Sequence, residues 1–247
     1  MTDLKPTIVL VHGAFAESAS WNGVITRLQE QGLNAVAVAN PLRTLAGDAA
    51  YVRDVITSIP GAVILVGHSY GGLVITEAAA NNDAVVVGLV YVSAFVPDTG
   101  ESALSLSSSA PGSTLGDALS VYPVTTGGNE FAIRPDVFRH QFAADVAEDV
   151  AALMAATQRP VTEAALSETL STSRPAWKDV PSWHVFGEQD LNIPVAVLRA
   201  GAERAASRAT HEISGASHAV PVSNPGVVAE MITKAEQAYA ATLEGAA

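Results

Sequence analysis

Apolar residues fall along this chain in two alternating patterns. Thr7-Ile8-Val9-Leu10-Val11, Ala62-Val63-Ile64-Leu65-Val66 and residues 85–94 are continuous runs rich in β-branched side chains. Such runs fill parallel strands buried on both faces. Between them, Trp21, Val24, Ile25 and Leu28, then Val52, Val55, Ile56 and Ile59, recur at helical spacing. Residues 34–39 read as a further strand. Ser18 or Ser20 is placed to cap the first helix, Pro60-Gly61 stops the second, and Pro97 stops the strand over 85–94. The pattern resumes with Ser182-Trp183-His184-Val185-Phe186, a helix over 194–206, and the strand Ala209-Thr210-His211-Glu212-Ile213. Asn224 then caps a final helix through Val228, Met231, Ile232 and Tyr239. Strands alternating with helices predict a doubly wound α/β sheet of about six mostly parallel strands with right-handed crossovers. Ligand chemistry then belongs at the carboxyl ends of the strands, where His12, Ser69 and Phe95 fall.

The alternation breaks over residues 98–178. Residues 101–116 are rich in serine and read as a loop, and helices are predicted over 135–142, 144–157 and 162–170 with no strand between them. The expected organisation is a core of residues 1–97 and 179–247, with 98–178 an all-helical lid over the site.

Composition narrows the function. Of 247 residues, 49% are hydrophobic and 15% charged, which suits one globular domain with a sizeable core. Thirteen basic against 25 acidic residues give a net charge of −12, with no basic patch for nucleic acid or an anionic membrane. There is no cysteine, so disulfide and thiolate chemistry are excluded. Met1 to Lys5 lack a leader signature, and no apolar run approaches the ~20 residues of a membrane span. A cytoplasmic protein is expected.

Val66-Gly67-His68-Ser69-Tyr70-Gly71-Gly72 joins a strand to the helical run Leu73 to Ala80 and carries a G-x-S-x-G pattern. That context describes a nucleophile elbow, a turn that projects its serine at the end of a sheet. Gly67 and Gly71 sit where a Cβ would meet the neighbouring chain, and the Tyr70 amide at the start of the helix is free to face a developing oxyanion. A serine hydroxyl needs a base, usually a histidine held by a carboxylate. Ser69, Asp190 and His218 occur in that order, each just past an apolar strand. Glu188 is the rival acid; Asp190, at the far end of its loop, is preferred. His68 and His12 read as structural, His184 and His211 as strand histidines, and His140 as a solvated helix position. His, Asp and Glu show no ligand spacing, so neither metal nor cofactor is expected. Phe15 and Phe95, with Phe138 and Phe142 from the lid, are candidate substrate-binding residues.

With these motifs the chain resembles the α/β-hydrolase superfamily over nearly its whole length, and most of all small esterases related to plant methyl esterases and hydroxynitrile lyases. The resemblance rests on Val9-Leu10-Val11-His12-Gly13-Ala14, Val63 to Gly72, Tyr91-Val92-Ser93-Ala94-Phe95-Val96-Pro97-Asp98 and Gly187-Glu188-Gln189-Asp190. It implies a second oxyanion donor, the amide of Ala14. It also implies a sheet without the first two strands of the full superfamily, and a small-molecule ester as partner. The expected activity is that of a serine carboxylesterase acting through an acyl-enzyme. The alternatives are a cofactor-free lyase of the hydroxynitrile type and a slow-turnover ligand receptor. In the lyases a threonine stands at the position of Gly13 and a lysine directly after the catalytic histidine, where this chain has Ala219. The His12-Gly13-Ala14 loop departs from the His-Gly-Gly-Gly of many lipases, which disfavours bulky tertiary-alcohol esters.

Overall fold

The computed structural model describes residues 5–80, 85–125 and 127–245. Most of the stretch read for a leader signature lies outside them. In chain order the elements are β1 (Thr7–Val11), α1 (Asn22–Glu30), β2 (Ala35–Val38), α2 (Leu45–Ser58), β3 (Val63–His68), α3 (Gly71–Ala79) and β4 (Val86–Val92). Then come α4 (Ala103–Ser107), α5 (Leu115–Ala118), β5 (Leu119–Pro123), β6 (Asn129–Ile133), α6 (Pro135–Phe142), α7 (Glu148–Thr157), β7 (Val161–Thr162) and α8 (Glu163–Ser167). The chain returns through β8 (Ser182–Gly187), α9 (Val195–Arg204), β9 (Ala209–Ile213), α10 (Val220–Ser223) and α11 (Pro225–Glu244).

The main sheet has six strands in the order β2-β1-β3-β4-β8-β9. Every pairing in it is parallel. Successive strand residues face opposite sides, which divides the core in two. Ile8, Leu10, Ile64, Val66, Val90 and Val92 pack on one face against Trp21 and Leu28 and against Val228 and Ile232 of α11. Val9, Val11, Val63, Leu65, Leu89 and Tyr91 pack on the other with residues of α2, α3 and the segment between β4 and β8. From β1 the chain moves outward to β2 and returns to β3 on the opposite side. The strand order therefore reverses between β1 and β3, which opens a crevice at their carboxyl ends.

The segment between β4 and β8 corrects the all-helical expectation. It contains a three-stranded antiparallel sheet, β5-β6-β7. Residues 101–116 also hold the short helix α4 and the start of α5 rather than one loop, and Ser102 caps the N-terminus of α4 in a capping box with Ser105. Ser18 and Ser20 fall in a 3-10 turn ahead of α1 and supply no side-chain cap to it. Among the described residues, no helix is long and apolar enough to cross a membrane.

Candidate active site

The elbow follows directly from β3. Ser69 adopts φ 56°, a left-handed conformation that β-carbon sterics disfavour for a non-glycine residue. The turn is held by Gly72 N–H donating to the Ser69 carbonyl at 2.9 Å. The glycines permit it: a Cβ on Gly67 would lie 2.6 Å from the Gly71 carbonyl oxygen, and one on Gly71 would strike the carbonyl of Val11. β3 can therefore pass straight into α3 with the Ser69 side chain turned to the switch-point crevice.

Asp190 and His218 come from the loops after β8 and β9. His218 Nδ1 donates to Asp190 Oδ2 at 2.6 Å, and both residues are buried. The other carboxylate oxygen accepts from the backbone N–H groups of Asn192 at 2.8 Å and Ile193 at 2.9 Å. An ionised carboxylate only accepts, so the proton of neutral His218 sits on Nδ1 and leaves Nε2 as a base. The His218 ring is held between His68, 4.7 Å away, and Phe142, 4.9 Å away and edge-on. His68 Nε2 donates to the His218 carbonyl at 3.0 Å. Burial pushes the His68 pKa well below its usual value, so a neutral ring stands beside His218. Glu188 is exposed and accepts from Ser214 at 2.9 Å, away from the histidine.

Ser69 and His218 line one cavity of about 50 Å³ together with Ala14, Phe15, Tyr70 and Phe95. Among the described residues, the amides of Ala14 and Tyr70 donate to no backbone carbonyl. The segment between β4 and β8 closes the cavity with Ala103, Leu104, Ser107, Leu115 and Leu166. Phe138 and Phe142 do not line it. They stack at 5.2 Å, fully buried, and Phe142 meets the His218 ring rather than the cavity. An aromatic pair at i, i+4 on an amphipathic helix faces the core, and here that core runs beneath His218.

Two neighbours of the candidate site escaped the sequence reading. Asp48 on α2 is buried and accepts from the Tyr70 hydroxyl at 2.9 Å, which ties down the residue after Ser69. Burial raises the Asp48 pKa, and burial with the Asp48 charge raises that of Tyr70 well above its usual value. Asn192 lines the cavity, and its position depends on a partner far away in sequence. The spacing of Asp48 within an amphipathic helix carried a signal, since a carboxylate there stands on the apolar face. Of His12, His184, His211 and His140, the first two are buried and the others exposed. No group of three or more His, Asp or Glu placed to hold a metal occurs among the described residues.

A serine at a strained turn, a histidine held by a buried carboxylate and two backbone amides without a carbonyl partner among the described residues meet at one cavity, an arrangement suited to acyl transfer. The chain matches the model of the alpha/beta hydrolase family over residues 8–231 and belongs to that family. It is 28% identical over 253 residues to the alpha/beta hydrolase nvfD of Aspergillus novofumigatus, covering 94% of this chain and 97% of that protein. It is 24% identical to the putative chloroplastic methylesterase 11 of Arabidopsis thaliana, over 91% of this chain and 62% of that protein. Among solved structures, polyneuridine aldehyde esterase has the same fold, with a TM-score of 0.79 at 22% identity and coverage of 93% and 98%.

Proposed function

We propose that this chain is a serine carboxylesterase for small to medium uncharged esters. Ser69 attacks the ester carbonyl while His218 Nε2 takes its proton, and Asp190 orients the imidazole and stabilises its cation. The amides of Ala14 and Tyr70 bind the tetrahedral oxyanion. The alcohol leaves with a proton from His218, and water activated by the same nitrogen cleaves the acyl-enzyme. The observation that carries this reading is the 2.6 Å bond from His218 to a buried Asp190, on a cavity that Ser69 shares. The methylesterase and aldehyde-esterase names of its relatives support ester substrates. Residues 98–178 act as the lid of this site, since Leu104, Leu115 and Leu166 supply much of its apolar wall.

The test is hydrolysis of p-nitrophenyl esters of graded acyl length, with stoichiometric labelling by a fluorophosphonate. Nitrophenolate release, and a label mapped to Ser69, are expected. A label on any other residue would remove Ser69 from the role.

A further inference from the structure

Asn192 is 3% exposed and belongs to the wall of the cavity that holds Ser69 and His218. The orientation of its amide is set by a chain of hydrogen bonds that begins at a backbone carbonyl. Gln141 Nε2 lies 2.9 Å from the carbonyl oxygen of Leu191, a group that only accepts, so that atom of Gln141 is its nitrogen. Thr114 donates its hydroxyl to the other end, Gln141 Oε1, at 2.9 Å. The second hydrogen on Gln141 Nε2 goes to Asn192 at 2.8 Å, so the Asn192 atom facing Gln141 is its oxygen. The backbone N–H of Asn192 is taken by Asp190. What remains is Nδ2, buried and with no acceptor among the described residues. A buried NH₂ without a partner is rare in a folded core, and here it belongs to a residue on the substrate cavity.

We infer that Asn192 is a substrate-recognition residue whose Nδ2 donates to a second, uncharged acceptor oxygen on the substrate, such as a ketone carbonyl, in addition to the scissile ester. Donor chemistry follows from Oδ1 being held by Gln141. An uncharged acceptor follows from the rest of the wall: it is mostly apolar, and among the described lining residues there is no lysine or arginine to compensate an anion. The inference rests on the esterase reading for its chemistry but not for the binding it describes. A site that hydrogen-bonds a substrate oxygen discriminates strongly against an analogue lacking it, because the protein group is then left unpaired.

Three isosteric pairs test this, each exchanging a ketone C=O for CH–CH₃: ethyl 3-oxobutanoate against ethyl 3-methylbutanoate, ethyl 4-oxopentanoate against ethyl 4-methylpentanoate, and acetonyl acetate against isobutyl acetate. The first two place the oxygen on the acyl side and the third on the alcohol side. Hydrolysis is followed by proton release in the wild type, Asn192→Leu and Asn192→Ala. The ratio of each pair within one enzyme, compared between enzymes, cancels intrinsic reactivity. In at least one pair, kcat/KM for the ketone relative to its isostere is expected to fall about fivefold to tenfold in both variants. Calorimetric titration of Ser69→Ala and Ser69→Ala/Asn192→Leu with the same pairs reads binding without turnover, and the same loss for the ketone is expected. Ketone preference in binding with no hydrolysis by the wild type would uphold Asn192 and reject the esterase. Parallel loss of ketone and isostere in all three pairs, or equal affinities in the two titrated proteins, would overturn the inference.

Discussion

Ser69 spends its life in a backbone conformation that costs on the order of 1–3 kcal/mol, which the flanking glycines and the β3–α3 junction impose. Ser69→Ala keeps that geometry and removes the covalent route. Turnover of p-nitrophenyl butyrate is expected to fall by about 10⁶, by analogy with serine protease knockouts, with an unchanged circular dichroism spectrum. Asp190→Asn would present an amide to His218 Nδ1 and favour the wrong tautomer, at a cost of about 10⁴ in turnover. Glu188→Gln should change the rate little, because Glu188 faces Ser214; reversed effects would make Glu188 the acid. Gly13 bears on the choice between ester hydrolysis and cyanohydrin cleavage. A Cβ at Gly13 would lie 2.6 Å from both the His68 carbonyl oxygen and Ser69 Cβ, so a threonine is not accommodated in this loop as it stands. Ala219 follows the histidine where a lyase's lysine would meet departing cyanide. Cyanide release from mandelonitrile is therefore expected near background beside clear nitrophenolate release; the opposite ratio, abolished in Ser69→Ala, would favour the lyase. That Ser69, Asp190 and His218 share one edge was legible, because each stands just past an apolar strand of a parallel sheet. Asn192 was not, because an asparagine in a turn has many uses and its orientation comes from Gln141, 51 positions away.

At the scale of elements, the core strands were legible because burial on both faces demands uninterrupted apolar runs, and β9 falls on its expected residues. The β5–β6 hairpin lacked that signal. Four of the five residues of β5 are exposed, Pro123 sits within it, and β7 is two residues long. Gly127-Gly128 between Val121-Tyr122 and Phe131 was the available cue, a glycine-containing turn between short β-prone segments. The insertion that carries it is tied to the core by hydrogen bonds outside the hairpin: Phe15 N–H to the Arg159 carbonyl, Thr114 N–H to the Leu191 carbonyl, and Ser217 to Asp145. Of the two α6 phenylalanines expected to touch substrate, Phe142 packs edge-on against His218 and Phe138 stacks on Phe142 behind it, and neither lines the cavity. Phe142→Leu should therefore lower turnover across a p-nitrophenyl ester series without reordering it. Leu166→Ala, on the cavity wall, should raise the rate on hexanoate relative to acetate several-fold. A chain-length shift from Phe142→Leu with none from Leu166→Ala would place the acyl pocket against α6 instead.

For the molecule as a whole, the buried histidines make stability a function of pH. Burial lowers the pKa of His12 and His68, and that of His184 to about 3. An unfolded histidine titrates near 6.5, so as pH falls below that value the unfolded chain takes up protons that the folded chain refuses. Stability contributed by each such group is complete above pH 6.5, declines as pH falls, and for His184 is exhausted near pH 3. Glu130 and Glu212, held below the usual carboxylate range by their hydrogen bonds, add to the loss at the acid end. Asp48 acts in the opposite sense, since burial raises its pKa and the folded state protonates first. His184 is the cleanest to isolate: it stacks on Tyr91 at 4.8 Å, and burial alone shifts it. His184→Phe keeps a planar ring for the stack and removes the titration. Urea unfolding of both proteins at pH 7.5 and pH 5 separates the change in slope from any constant offset. The wild type should lose about 2 kcal/mol more than His184→Phe between those two values, the cost of protonating a group of pKa 6.5 in the unfolded state alone. Equal losses in the two proteins would mean that His184 takes up its proton without unfolding, and that the acid sensitivity resides in the histidines around the elbow.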